Sequence, residues 1–219
     1  MLICAEVYFL TTVINDLREK GEKVENYIDI GDSDGSVRYL LKHSMSDLNM
    51  DTLGINLQAG AVEKIRQRGL AAECVDAMHI HEAGRKYDIV SIFETLEHLS
   101  NPIGFLTSIK NIVKNKLVIS VPLINKSRVN LSYLSERWPK DKVPTIENTH
   151  IFELSPKDWR KIFLHSGWRI ESQKMIKQFP SRGLLKLMMQ YVWRKISFEG
   201  FWFVSLEKDD TFSSRYCIE

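Results

Sequence analysis

Only three cysteines occur in the 219 residues, Cys4, Cys74 and Cys217, far apart and in no CxxC pair. Their scarcity argues against a disulfide framework or a cysteine zinc site and fits a reducing, cytoplasmic setting. No apolar run approaches the about 20 residues needed to span a bilayer, so no transmembrane segment is expected. Charge of one sign is missing too, since 30 Lys and Arg face 28 Asp and Glu for a net +2. Without a global field, neither nucleic acid nor an anionic membrane is the expected partner. Internal repeats and low-complexity tracts are absent. The opening MLICAEVYFLTTVIND lacks a basic n-region and is interrupted by Glu6, so it reads as an amphipathic helix and not as a signal peptide.

What is present is an alternation of strand-like and helix-like stretches. The stretch NYIDIGDSDGS, from Asn26 to Ser36, has β-favouring bulk at Tyr27, Ile28 and Ile30, then a polar turn with Gly31 and Gly35, then the helix SVRYLLKH. A second strand is expected over 52–57, followed by a helix from Ala59 that Gly69 stops. A third covers 72–75 and ends in Asp76. The fourth, 87–93, is apolar nearly throughout, as a parallel strand covered on both faces should be. Asn101 and Pro102 open the next helix, and KLVISVP forms a fifth strand that Pro122 ends.

Regular alternation of this kind implies right-handed crossovers and a parallel, doubly wound α/β sheet with helices on both faces. Beyond it, 123–149 is polar and aperiodic, a length of irregular chain that is uncommon unless it covers a site. A helix then opens with Ser155 as cap and Pro156 at its first position, and stops at Gly167. The stretch WRIESQKMIKQF gives a sixth strand and FWFVSLEKD a seventh. Between them, 180–197 is an apolar, helix-length segment. The expected plan is one domain, with an N-terminal helix (1–25), a ligand-binding half (26–122), a covering insertion (123–150) and a C-terminal half (151–219).

In open α/β sheets, ligands bind beyond the carboxyl ends of the strands. The GDSDG turn is the first candidate, although Gly, Asp and Ser form polar turns for ordinary reasons as well. Nicotinamide binding fits poorly, because GDSDGS lacks glycine at the third and sixth positions of GxGxxG.

Taken in order, these motifs resemble the class I S-adenosylmethionine-dependent methyltransferases, the small-molecule group with a generic methyltransferase domain. DIGDSDG (Asp29 to Gly35) is similar to the family's DxGxGxG motif, and GIN (Gly54 to Asn56) to its second-strand GxD. Asp76-Ala77, YDIVSIFETLEHLSNP and THIFELSPKDWRKIFLHSGWRI are similar to the later motifs. The resemblance implies a Rossmann-like, seven-stranded, mostly parallel sheet whose last strand is antiparallel. It also implies S-adenosylmethionine as cofactor and S-adenosylhomocysteine as product, held by Asp29, Gly31, Asp32, Ser33, Gly35, Asn56, Leu57, Asp76, Ala77 and Phe93.

The chemistry of these residue types agrees with that assignment. A glycine turn lets amides approach a ligand, and a carboxylate such as Asp29 accepts from an ammonium. Asp76 can accept from an exocyclic amine, while Ile55, Leu57, Ala77 and Met78 supply an apolar sandwich. The chain departs from the pattern at Ser33, which stands at the middle glycine, and at Asn56, which replaces the ribose carboxylate. These departures leave a second reading, a catalytically silent protein of this fold that binds a partner or another nucleotide.

Methyl transfer needs alignment and, at times, a base. Glu94, His98 and His150 are the catalytic candidates; the structural alternative is that Glu97 and His98 start or cap a helix, and that His150 is a loop residue packed against the sheet edge. His43, His79, His81 and His165 show no metal-ligand spacing, and no metal is expected. The expected acceptor is a small molecule, methylated on O or N. The apolar 180–197 segment suits either a hydrophobic or lipid-linked acceptor, or a core or homodimer contact.

Overall fold

The computed structural model describes residues 2–129, 149–177, 188, 191 and 200–215. Its frame is a seven-stranded sheet built from β1 (Asn26–Ile30), β2 (Asp51–Asn56), β3 (Ala72–Cys74), β4 (Tyr87–Phe93), β5 (Val113–Leu123), β8 (Trp168–Lys177) and β9 (Gly200–Lys208), in the order β3-β2-β1-β4-β5-β9-β8. A separate ribbon pairs β6 (Arg128–Val129) with β7 (Phe152–Glu153). The first five strands of the large sheet pair in parallel, and β9 runs antiparallel to both β5 and β8. Strand order reverses beside β1, where β2 and β4 flank it, so the crevice at their carboxyl ends is the place a ligand would enter.

Five helices accompany the sheet among the described residues: α1 (Leu2–Glu19), α2 (Ser36–Ser44), α3 (Ala59–Gln67), α4 (Pro102–Ile109) and α5 (Pro156–His165). Helix α1 places Phe9, Leu10, Val13, Ile14 and Leu17 on one face, the spacing of an amphipathic helix. That face packs with Val37 and Leu41 of α2 against Tyr27, Ile89, Val118 and Phe203 of the sheet. The opposite face carries the larger cluster, where Phe105 and Leu106 of α4 and Trp159 and Phe163 of α5 meet Ile28, Val90, Ile119 and Trp202. Trp159, Trp168 and Trp202 are all fully buried and serve packing.

One residue of α1 breaks its apolar face. Glu6 is only 4% exposed, and burial pushes its carboxyl up from 4.5 to about 7. A carboxyl raised on folding stabilises the fold below its unfolded value, and that contribution is lost as pH rises through the folded one. Glu6→Gln is therefore expected to add up to about 3 kcal/mol at pH 8 and almost nothing at pH 4. Urea unfolding of both proteins at the two pH values measures this, and equal stability at pH 8 would refute it.

Two local expectations change. Pro122 does not end β5, which continues to Leu123 with Pro122 opposite Phe201 of β9. The Ser120 carbonyl faces β4, where it accepts from the Glu94 amide, so residue 122 faces that side as well. Beta4 has already ended there, its Phe93 being opposite Ser120, and the missing amide proton of proline costs no ladder bond. Ser155 stands at the cap position of α5 but makes no side-chain cap bond. Its hydroxyl turns to Asp158 Oδ2 at 3.1 Å and to Ser127 Oγ at 3.2 Å. Most of the expected covering insertion and of the apolar 180–197 segment lies outside the described residues. No helix among the described residues is long and apolar enough to cross a membrane.

Candidate functional site

The turn after β1 is held from beneath. Gly31 has φ 84°, and a Cβ there would stand 2.2 Å from Thr95 Oγ1, so only glycine fits. Its amide and that of Asp32 both donate to the Ile55 carbonyl at the end of β2, at 2.9 and 3.1 Å. Asp32 turns its carboxylate inward, accepting from the Gly35 amide at 2.6 Å and from Arg38 Nε at 2.8 Å. Both side chains of that ion pair are buried, at 3% and 0% exposure. Asp32 is thus a structural acid neutralised by α2, and its carboxylate does not line the cavity described next.

Asp29, at the end of β1, accepts from Ser91 Oγ at 2.6 Å, and that hydroxyl also meets Tyr27 Oη at 2.7 Å. Burial, and then the charge of Asp32, push the Asp29 carboxyl well above the usual carboxylate range, although the Ser91 hydrogen bond works against them. Asn56 spends its amide on the fold, with Nδ2 donating to the Asp32 carbonyl at 3.0 Å and Oδ1 accepting from the Gln58 amide at 2.8 Å. A carboxylate could not make the first of these bonds. The departure from the acidic pattern therefore belongs to a local network that joins β2 to the turn.

A cavity of 530 Å³ opens above β1, β2 and β4. Gly31, Ser33, Asn56, Leu57, Asp76, Ala77, Glu94 and His98 line it among the expected residues, whereas Asp29, Asp32, Gly35 and Phe93 lie outside its lining. Ile55, Gln58, Val75, Thr95 and Leu99 complete the wall. Asp76 starts a 3-10 turn (Ala77–Ala83) by accepting from the Met78 amide at 2.9 Å, which fixes its carboxylate at the rim.

The other rim is acidic and imidazole-rich. Glu94 has φ 45°, an uncommon conformation for a residue with a side chain, and it accepts from Ser120 Oγ at 2.9 Å. Burial raises its carboxyl to about 8 despite that hydrogen bond. Glu97 is fully buried, and burial followed by the nearby Glu94 charge pushes its carboxyl well above the usual range. The rings of His98 and His150 meet edge to face, 4.8 Å between centroids. His98 Nδ1 lies 3.0 Å from the Thr149 carbonyl, and His150 Nδ1 lies 3.1 Å from Glu153 Oε1. Of the three catalytic candidates, Glu94 and His98 line the cavity, whereas His150 lies outside its lining and reaches it only through its ring contact with His98; a fourth residue, Glu97, also lies outside the lining.

Several contributors carried no signal in the sequence. Arg38, Ser91, Thr95 and Ser120 come from helix, strand and loop positions that look ordinary, and each matters through a partner distant in the chain. The paired spacing of Glu94 and Glu97 before His98 was the only local hint of the acidic rim.

The methyltransferase-domain family model matches residues 5–173 of the chain. The chain belongs to the methyltransferase-domain family, of class I. The methyl donor of this family is S-adenosylmethionine. The domain is 27% identical over 151 residues to a ubiquinone biosynthesis O-methyltransferase of Glaesserella parasuis serovar 5 (strain SH0165), covering 61% of this chain and 58% of that relative. It therefore spans little more than half of that protein's length. The O-methyltransferase of a trans-AT PKS multienzyme of Brevibacillus brevis, solved with S-adenosyl-L-homocysteine, superposes with a TM-score of 0.65 at 13% identity, over 98% of this chain and 75% of that one. The mitomycin 7-O-methyltransferase MmcR gives 0.56 at 16% identity, over 84% of this chain and 49% of that one. At these identities, the solved structures establish the fold of the methyltransferase domain.

The residues present suit the family's cofactor. The cavity volume falls within the roughly 300–1,000 Å³ of small-ligand sites. Its apolar walls, the acceptor at Asp76 and the Gly31 backbone on its lining match a ligand with an aromatic base at one end and an amino acid at the other. Ser33 lies on the lining, and the Asn56 side chain is already engaged by the fold.

Proposed function

We propose that the methyltransferase domain binds S-adenosylmethionine in this cavity and directs its methyl group to an oxygen or nitrogen of a small-molecule acceptor. The observation that carries the reading is the cavity itself, which lies at the strand-order reversal with Gly31 on one wall and Glu94 and His98 on another. When bound, the cofactor supplies a sulfonium methyl, so the protein's work is alignment, exclusion of water and management of one proton.

Asp76 would accept from the adenine amine, with Leu57, Val75, Ala77 and Leu99 covering the ring. The Gly31 and Ser33 stretch would take the amino-acid part, with Asp29 behind it as the counter-charge for an ammonium, its carboxyl ionising once a cation is opposite. The acceptor would enter past Glu94, His98 and His150, where a proton can be taken up by imidazole or carboxylate. In the same reading, 123–150 is a covering insertion on a single domain, and it selects the acceptor. O-methyl transfer is favoured over N-methyl transfer by the named activity of the Glaesserella relative.

Calorimetric titration with S-adenosylmethionine and S-adenosylhomocysteine tests the reading before any acceptor is known. Dissociation constants on the order of micromolar are expected, weakened at least about tenfold by Asp29→Asn, an isosteric change that removes only the charge. Absence of binding by both ligands would favour the silent-fold alternative.

A further inference from the structure

We propose that Glu97, His98 and His150 form a site for one divalent transition-metal ion of the zinc or cobalt type, set at the acceptor end of the cavity. Its purpose rests on the methyl-transfer reading, but its existence does not.

The three residues each offer a ligand atom, and these atoms lie within 4.8 Å of one another. They come from two segments: Glu97 and His98 follow β4, and His150 precedes the β6–β7 ribbon. A backbone bond from the Ile151 amide to the Glu97 carbonyl, 2.9 Å, fixes the two segments side by side. Donors sharing one tetrahedral zinc ion at about 2.1 Å stand about 3.4 Å apart, so the side chains need close by little more than about an ångström.

Glu97 supplies the independent observation. Its side chain is fully buried, and neither carboxylate oxygen has a hydrogen-bond partner among the described residues. A buried carboxyl with both oxygens bare is costly and uncommon in folded proteins. A cation between it and the two imidazoles satisfies it directly.

The tautomers agree. A carbonyl only accepts, so the contact of His98 Nδ1 with the Thr149 carbonyl places a proton on Nδ1. The contact of His150 Nδ1 with Glu153 does the same, and Glu153 is itself held by Arg128. An imidazole that donates from Nδ1 to a carboxylate or carbonyl is oriented as supported metal ligands usually are.

Two imidazole nitrogens and one carboxylate oxygen suit zinc, cobalt, iron or nickel better than magnesium or calcium. Three protein ligands leave a coordination position open, and His98 lines the cavity, so that position faces the acceptor. An acceptor hydroxyl bound there, made more acidic by the ion, would lose its proton to solvent water. Its oxygen then forms the O–CH3 bond as the S–CH3 bond breaks, the electron pair staying on sulfur. The site accordingly selects a hydroxyl acceptor over an amine, because a protonated amine has no lone pair to offer the ion.

The test uses chelator-treated full-length protein, titrated with Zn2+ by calorimetry and with Co2+ by visible absorption. One ion per chain is expected, bound at least about tenfold more weakly by Glu97→Gln and by His150→Ala, and unchanged in His43→Ala. His150 is only half-buried, so its variant keeps the proposal testable if Glu97→Gln unfolds, and circular dichroism reports folding in each case. Absence of zinc binding, or equal affinity in wild type and both site variants, overturns the proposal. The same preparations are titrated with S-adenosylhomocysteine. Nucleoside binding without zinc binding refutes the metal site and spares the methyl-transfer reading. Zinc held by these residues without nucleoside binding supports the metal site and removes its assigned purpose.

Discussion

Arg38→Met is expected to destabilise the protein by about 3–5 kcal/mol, because it leaves the Asp32 carboxylate buried without its cation. The pair is 2.8 Å apart with both side chains almost wholly out of water. Asp29 lies close enough for the Asp32 charge to raise its carboxyl, so an unneutralised Asp32 also presses on its neighbour. Beta2 is shaped around the guanidinium, since a Cβ on Gly54 would stand 2.4 Å from Arg38 Nη2 and 2.6 Å from Asp32 Oδ2. The double variant Asp32→Asn/Arg38→Met removes both charges and keeps an acceptor for the Gly35 amide. It should recover most of the lost stability, since replacing a whole buried pair by neutral groups is often near neutral. Urea unfolding of the wild type, the single variants and the double variant gives the coupling directly. A loss under about 1 kcal/mol in Arg38→Met would mean that the pair carries no more than an exposed surface pair does.

Gly31→Ala is expected to weaken S-adenosylhomocysteine binding at least about 100-fold, the scale on which a misplacement of about 1 Å acts at a preorganised site. Alanine at φ 84° costs about 1–2 kcal/mol in backbone strain alone. Its methyl would also stand 2.2 Å from Thr95 Oγ1 and 2.8 Å from Thr95 Cγ2. That hydroxyl is tied to the Phe93 carbonyl at 2.9 Å, so it cannot swing aside without breaking the bond. Either the turn moves into the cavity or Thr95 leaves its wall, and both alter the site. Adding Thr95→Gly removes the collision but not the strained torsion, so a partial recovery is expected. Calorimetry with a parallel unfolding curve separates lost binding from lost folding. Unchanged affinity in a folded Gly31→Ala protein would show that the turn does not approach the ligand.

The sheet was legible because its signals are local. Tyr27, Ile28 and Ile30, or the apolar run 87–93, mark strands by composition alone, and regular alternation with amphipathic stretches implies parallel order. The glycines of the turn were legible for the same reason, because a positive φ is a demand on one residue. Pro122 misled because the cost of a missing amide proton depends on which neighbouring strand still runs beside it. Ser155 takes the expected cap position, but its hydroxyl finds other partners, Asp158 and Ser127, that the cap rule does not consider.

Within the site, the sequence could name acids but not their states. Asp29, Asp32 and Asp34 occupy one short turn, yet Arg38 of the following helix neutralises Asp32 alone. The exposed Asp34 pairs instead with Arg68, at the end of α3. Asn56 reads in the sequence as a replaced ribose ligand, but its amide is bonded at one end to the Asp32 carbonyl and at the other to the Gln58 amide. The sequence offers His98 and His150 only as separate candidates for a base. Local residue pattern determined the strands, the glycine turn and the family. Tertiary structure decided which charges are neutralised and which groups meet, because those depend on partners tens of residues apart that only the packed sheet brings within hydrogen-bonding reach.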